Sequence, residues 1–216
     1  MKCLARKIAL KICITINIKN MEINILVGID PGVSAGGIAI YKPGSPLVTV
    51  KMPEEPLAIY NLFKKIKRSG SPMIVVERLS IRGDDTGGKQ YRIVTMLENY
   101  NNLVCCAKVL EIPLVLVTPM TWQTGLGLRT KGAKEDKSLR KEKYFQFAKR
   151  SFPAGNVFKW NSDAVCILRF TQLMMANKPK WIPEHLVNSS DCVFSFDLTN
   201  DSLEYDRLLR DERKVE

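Results

Sequence analysis

Histidine is almost missing from this sequence: its single instance, His185, lies close to the C-terminal end. The six cysteines, Cys3, Cys13, Cys105, Cys106, Cys166 and Cys192, form no C-x-x-C pair. A zinc site built from Cys and His usually shows such clustering, so that class of metal site is not expected. The thiols read instead as reduced and buried, in an intracellular protein. No run of 18 apolar residues occurs, so no membrane span is expected. Neither an internal repeat nor a low-complexity tract is found. Acids are absent from residues 1–20, which hold Lys2, Arg6, Lys7, Lys11 and Lys19. Such a segment could be an organellar presequence, a basic arm or an extension upstream of a start at Met21. It is poor in Arg and Ser for a presequence. The extension is therefore favoured, with no catalytic role, and a mitochondrial location is less favoured than the cytoplasm or another intracellular compartment.

What the chain has in excess is positive charge. Its 216 residues carry a formal net charge of +11, which points to a polyanionic partner. The excess is uneven. Residues 178–216 hold six Lys/Arg against nine Asp/Glu, a net −3, which leaves +14 on residues 1–177. The length suits one domain. The expected organisation is a basic extension over 1–20, a globular domain over 21–177 and an acidic tail over 178–216. Pro179 and Pro183 break the tail, which is expected to be dispensable for chemistry. The alternation of Phe194, Phe196 and Leu198 would still let it pack on the body.

Apolar patterning gives the elements. Strands are expected at about 23–30, 36–42 and 47–52, with a turn at Tyr41–Pro46. Leu57, Ile59, Tyr60, Leu62, Phe63 and Ile66 mark a helix that stops near Ser69-Gly70. Met73 to Glu77 is a buried strand and Ile81 to Lys89 a loop. A long helix spans about 90–111, with Ile93, Leu97, Tyr100, Val104, Ala107 and Leu110 on one face. It is long and apolar enough to be a dimer face. Leu114 to Thr118 is a fifth strand. A short helical turn opens Pro119–Leu128, a basic loop covers Arg129–Lys137, and helices follow at Leu139–Phe152 and Asn161–Ala176. The order β-β-β-α-β-α-β-α-α predicts a mixed α/β fold, an antiparallel meander followed by crossover units.

Three acids sit where chemistry could use them. Asp30 and Glu77 end two buried strands, and Asp163 lies in the first turn of the last helix. Each has an ordinary explanation. Asp30 could cap its own turn. Glu77 could pair with Arg78 or Lys89. Asp163 could complement the helix dipole. Together, in a body of charge +14, they favour a site for hard divalent cations, Mg²⁺ with Mn²⁺ as a substitute. Two such ions can activate a water and stabilise the leaving oxygen of a phosphodiester.

These motifs resemble a known family. Gly28-Ile-Asp-Pro-Gly32 with Gly36-Gly37 is similar to the first motif of the RuvC-type Holliday junction resolvases, in the RNase H-like superfamily. Val75-Val-Glu77 resembles their second acidic strand and Ser162-Asp-Ala-Val-Cys-Ile-Leu168 their last motif. Thr121-Trp122 with Gly127-Leu128, a basic stretch and Phe152-Pro153 are closest to the phage, viral and chloroplast branches. The resemblance covers about Ile25 to Ala176. It implies an RNase H-like five-stranded mixed sheet with helices on both faces. It also implies a metal-dependent endonuclease that acts as a homodimer on four-way DNA junctions, with Asp30, Glu77 and Asp163 as catalytic metal ligands. Two places depart from the pattern. The bacterial members have another acid three residues before the last one, where this chain has Trp160. Either three carboxylates suffice, or Asn161, Lys159 or a water stands in. The phenylalanine that follows the second acid in bacterial members has no counterpart in Arg78-Leu79-Ser80-Ile81.

Between Arg129 and Arg150 the chain places nine positive charges within 22 residues: Arg129, Lys131, Lys134, Lys137, Arg140, Lys141, Lys143, Lys149 and Arg150. Such a cluster suits a phosphate-tracking surface, although a solvated helix face has similar composition. Trp122 and Gln123 precede it. Trp122 either stacks on a base or belongs to the core, and a lysine between Lys131 and Lys137 could stabilise the charge developing at phosphorus. Two other classes stay open: a catalytically silent DNA-binding protein, and an ATPase of the actin-like fold, whose phosphate hairpin Asp30-Pro-Gly with Gly36-Gly37 resembles. The latter needs a second such domain.

Overall fold

Five strands and five helices carry the fold in the computed structural model, which describes residues 23–32, 36–79, 90–129 and 136–177. The strands are β1 (Ile25–Asp30), β2 (Gly37–Tyr41), β3 (Val48–Lys51), β4 (Pro72–Glu77) and β5 (Leu114–Val117). The helices are α1 (Pro56–Ser69), α2 (Gln90–Val109), α3 (Pro119–Gly125), α4 (Lys137–Ser151) and α5 (Ser162–Asn177). The sheet order is β3-β2-β1-β4-β5. β1 pairs antiparallel with β2 and parallel with β4, and β4 pairs parallel with β5. This is the expected mixed five-stranded sheet. The basic extension, the loop 81–89, Lys131, Lys134 and the acidic tail lie outside the described residues.

Strand side chains alternate between faces, and that alternation sorts the core. Ile25, Val27 and Ile29 of β1, with Ile74 and Val76 of β4, pack against Ile59, Phe63 and Ile66 of α1 and Leu103 and Ala107 of α2. Leu26, Met73, Val75, Val115 and Val117 face the other way, onto Trp122, Tyr144, Phe147 and the apolar side of α5. Helices therefore cover both faces. The β1–β4 register pairs Ile29 with Val76, so Asp30 and Glu77 come one step later on the two neighbouring strands. By parity both project onto the α5 face, the first as an even-numbered residue of β1 and the second as an odd-numbered residue of β4.

α5 is the innermost helix. Every residue from Asn161 to Leu173 is buried, the polar Arg169, Thr171 and Gln172 included. It approaches β1 at Gly28, where a Cβ would come within 2.5 Å of the Ala164 carbonyl oxygen and 2.7 Å of the Leu168 nitrogen. Only hydrogen at that position lets the helix lie directly on the strand. The same contact sets the height of Asp163, one residue before Ala164.

Four sequence expectations need correction. The buried stripe of α2 runs through Asn99, Leu103 and Ala107, with Val104 only partly covered. The short turn after β5 is a seven-residue helix, α3. Its N-cap, Thr118, accepts a hydrogen bond from the Thr121 backbone N–H, with Pro at the first position. Cys166 is buried as expected, but Cys105 is exposed. α4 starts at Lys137, two residues earlier than its apolar pattern indicates, because Asp136 accepts from the backbone N–H groups of Ser138 and Leu139. Among the described residues no helix is long and apolar enough to cross a membrane.

Gly28→Ala should destabilise the protein by about 3 kcal/mol, the upper end for overpacking, because the obstacles are backbone atoms. A urea titration showing an unchanged midpoint would contradict that close approach.

Candidate active site

Asp30 and Glu77 leave adjacent strands on the face that α5 covers, and the first turn of α5 presents Asp163 there. The three carboxylates act on one another electrostatically. Asp30 is pushed from its usual 3.8 up to about 6, first by burial and then by the charge of Asp163, with Lys141 and the Gly32 N–H pulling the other way. Glu77 rises from 4.5 to about 7, first by burial and then by Asp30, while its hydrogen bond from Trp122 opposes the shift. Burial disfavours the charged form and like charges add to it. Cys166, one turn after Asp163, is raised by burial and then by that same acid.

Each carboxylate has a distinct partner. The Gly32 backbone N–H donates to Asp30 Oδ1 at 3.3 Å. The Trp122 indole Nε1–H donates to Glu77 Oε2 at 2.7 Å. Lys141 Nζ donates to Asp163 Oδ2 at 2.6 Å, and the Ser162 hydroxyl, whose single proton is shared with the Lys159 carbonyl, lies 3.2 Å from Oδ1. Asp30 Oδ2 and Glu77 Oε1 accept no hydrogen bond among the described residues. The loop that carries Gly32 is closed by the Gly36 N–H donating to the Gly32 carbonyl at 2.7 Å.

Trp122 is not available for base stacking. It is 0% exposed, its ring meets Tyr144 edge-on at 5.1 Å, and its one polar atom holds Glu77. A base needs an open ring face, so the core alternative is the correct one. Glu77 accordingly takes the indole as its hydrogen-bond donor, in place of the Arg78 pairing its sequence position suggests. Lys141, expected among the DNA contacts, is paired with an acid of the site. It shares the inward side of α4 with Tyr144 and Ala148, at offsets of three and seven residues, and ends at Asp163. That spacing was present in the sequence but hidden by the surrounding lysines. Of the other basic candidates, Arg129 and Lys137 are exposed and Arg140 is half-buried; Gln123 is half-buried as well. Lys131 and Lys134 lie outside the described residues.

Neither residue offered as a substitute for the fourth acid is free. Asn161 is fully buried; its Oδ1 accepts from the Phe158 N–H at 2.8 Å, and its Nδ2 donates to Thr49 Oγ1 and the Asn156 carbonyl, both at 2.9 Å. Lys159 pairs with Glu142 at 2.6 Å. Among the described residues, no three His, Cys, Asp or Glu side chains form a group that could hold a metal ion as they stand. The donor chemistry nonetheless suits a hard divalent cation: carboxylate oxygens only, two of them unshared, and charge that burial leaves undercompensated. The ammonium of Lys141 fills that need in part, and its departure from Asp163 would open a third oxygen.

No family model matches the sequence, and no curated protein matches it. Solved structures resemble the fold. A Thermus thermophilus RuvC structure is 16% identical, with a TM-score of 0.46 over 70% of this chain and 95% of that one. T. thermophilus RuvC in complex with a Holliday junction substrate is 13% identical, with a TM-score of 0.47 over 71% and 96%. The yeast mitochondrial Holliday junction resolvase is 12% identical, with a TM-score of 0.39 over 74% and 84%.

Asp30 and Glu77 hold protons more tightly folded than unfolded. The stability they contribute is therefore full below about pH 4 and is lost as pH rises through about 6 and 7. Metal-free protein should melt at a lower temperature at pH 8 than at pH 5, and Asp30→Asn should shrink that difference. An unchanged difference in a calorimetric scan of the variant would count against the mutual repulsion. Trp122→Phe removes the N–H and keeps most of the ring. It should destabilise by roughly 1.5–3 kcal/mol at pH 8, where Glu77 is ionised, and by less at pH 5. An equal loss at both values would mean that packing alone accounts for Trp122.

Proposed function

We propose that this chain is a divalent-metal-dependent, structure-selective DNA endonuclease that resolves four-way junctions as a homodimer. One observation carries the proposal: Asp30, Glu77 and Asp163, from three separate elements, are drawn into mutual electrostatic contact on one face of the sheet, in a body whose net charge is strongly positive. Repelling acids beside a polyanion are unfavourable without a cation between them. The substrate class rests on the motif resemblance around Asp30 and Asp163.

Asp30, Glu77 and Asp163 would hold Mg²⁺ or Mn²⁺, which supplies activation of the attacking water and stabilisation of the leaving oxygen. The remaining work falls to the protein. Trp122 fixes the Glu77 carboxylate through Oε2 and leaves Oε1 directed away from the indole. Gly32 fixes Asp30 in the same way. Lys141 neutralises Asp163 at rest and, once released from it, is a cation positioned to meet a phosphate oxygen. Arg129, Lys137 and Arg140 approach from the α3–α4 side and would track the DNA backbone, together with Lys131 and Lys134. A chain with one acidic constellation accommodates one scissile phosphate. Two cuts then require two copies, and a two-fold dimer matches the symmetry of an open junction. The domain over 21–177 would be sufficient for this chemistry.

The purified protein with a four-way junction and Mg²⁺ should give paired nicks in strands of like polarity. Asp30→Asn, Glu77→Gln and Asp163→Asn should each lower cleavage by at least about 100-fold while junction binding in Ca²⁺ survives, since each removes transition-state stabilisation. Full activity in any one variant would remove that residue from the metal site. Binding without cleavage by the wild-type protein in Mg²⁺ and Mn²⁺ would indicate a silent DNA-binding protein, and ATP hydrolysis would indicate the actin-like class. A light-scattering mass of one chain on a junction whose two strands are both cut would defeat the paired-site model.

A further inference from the structure

Beside the carboxylates lies a pair of aromatic rings to which the proposed chemistry gives no task. Phe158 and Trp160 are stacked, with centroids 6.2 Å apart and an interplanar angle of 9°. Phe158 is 52% exposed and Trp160 partly so. Single exposed apolar side chains are common on soluble proteins, and Leu57, Val109 and Leu139 are examples here. The 158–160 pair differs from these in its anchoring and its position.

The anchoring is rigid. The fully buried Asn161 ties the Phe158 backbone N–H, the Asn156 carbonyl and Thr49 of the strand region into one network. The Ser162 hydroxyl donates to the Lys159 carbonyl at 3.0 Å. Trp160 leans on the sheet: a Cβ on Gly37 would come within 3.1 Å of its Cζ3 atom. Gly37 is the cross-strand partner of Asp30. The indole thus covers the neighbour of the first carboxylate and lies three residues before the third, while Phe158 extends the stack toward solvent. Ordering an aromatic pair at a wet edge is compensated when a flat ligand completes the stack.

We propose that Phe158 and Trp160 form a stacking platform for an unpaired DNA base next to the scissile phosphate. This rests on the endonuclease reading above. Three facts single out a nucleobase. The platform adjoins the carboxylates that would receive the phosphate, so a nucleotide bound by its phosphate brings a base within reach. The surrounding body is strongly cationic. Finally, a ring face offers no hydrogen-bond pattern, so any base fits, as in single-strand binders. The platform would hold a base that has left its helix at a branch point and so help select branched over continuous duplex DNA.

Junctions carrying 2-aminopurine at each position around the cut phosphate test this with full-length protein in Ca²⁺, where binding is read without cleavage. One position should show a fluorescence change on binding, and Phe158→Ala should abolish it. Cleavage in Mg²⁺ should fall about 5- to 100-fold in that variant at subsaturating protein, the range for loss of one base–aromatic stack. Phe158→Tyr should restore both signals and Phe158→Leu neither, which separates stacking from apolar bulk. Circular dichroism and melting identify a variant that has merely lost its fold; in that case Phe158→Leu carries the test. Wild-type cleavage with an unchanged 2-aminopurine signal in Phe158→Ala and Phe158→Leu would overturn the platform and leave the nuclease intact. Halving of the solution mass in Phe158→Ala would overturn it too, because the pair would then bind a second copy of the chain. A wild-type protein that fails to cut any branched DNA refutes the nuclease reading itself, whatever the probe reports.

Discussion

Three carboxylates that repel one another must be held together by something other than attraction, and in this protein packing does it. β1 and β4 are the two central parallel strands, and hydrogen bonding fixes their carboxyl ends side by side. α5 is pressed onto β1 through Gly28 and is buried along thirteen consecutive residues, Asn161 to Leu173. A helix so enclosed cannot swing Asp163 out of the others' field. The apolar contacts that bind α5 to the sheet, each fully buried large side chain contributing roughly 1.5–3 kcal/mol, outweigh the repulsion. Burial first, and the neighbouring acids second, therefore appear as raised proton affinities on Asp30 and Glu77.

Much of this was legible in the sequence. The apolar runs ending in Asp30 and Glu77 specify buried strands, and alternation then gives the side from which each acid projects. The apolar belt around Ser162–Leu173 marks a central helix and so places Asp163 near the sheet. What stayed hidden depends on contacts between distant elements. Trp122 and Glu77 are separated by 45 positions, and no local rule joins them. A tryptophan followed by a glutamine and a basic stretch has the composition of a nucleic-acid contact, yet burial decides the matter. Lys141 lay among lysines of the same charge, and only its helical phase with Tyr144 and Ala148 distinguishes it. The α2 stripe holds at Tyr100, Ala107 and Leu110, but Leu103 takes the buried place expected of Val104, because the two are equally apolar and packing on α1 selects between them.

The position of the absent fourth acid has a physical consequence as well. With Trp160 there, the charge at the site is one unit less negative than a four-acid arrangement would make it. Asn161 beside it is committed to holding the 156–161 loop. The segment ahead of α5 thus has an architectural role, and it holds the aromatic pair Phe158 and Trp160 in place.

The hydrogen bond between Trp122 and Glu77 couples a chromophore to an ionisable group inside the same enclosed pocket. The electronic transitions of an indole shift when the charge at its N–H changes, and Trp122 is shielded from bulk solvent, which would otherwise blur the response. The protein thus carries an intrinsic optical sensor at its acidic centre. Once Trp160 and Trp181 are replaced, a change of protonation at Glu77 would be read through that ring alone.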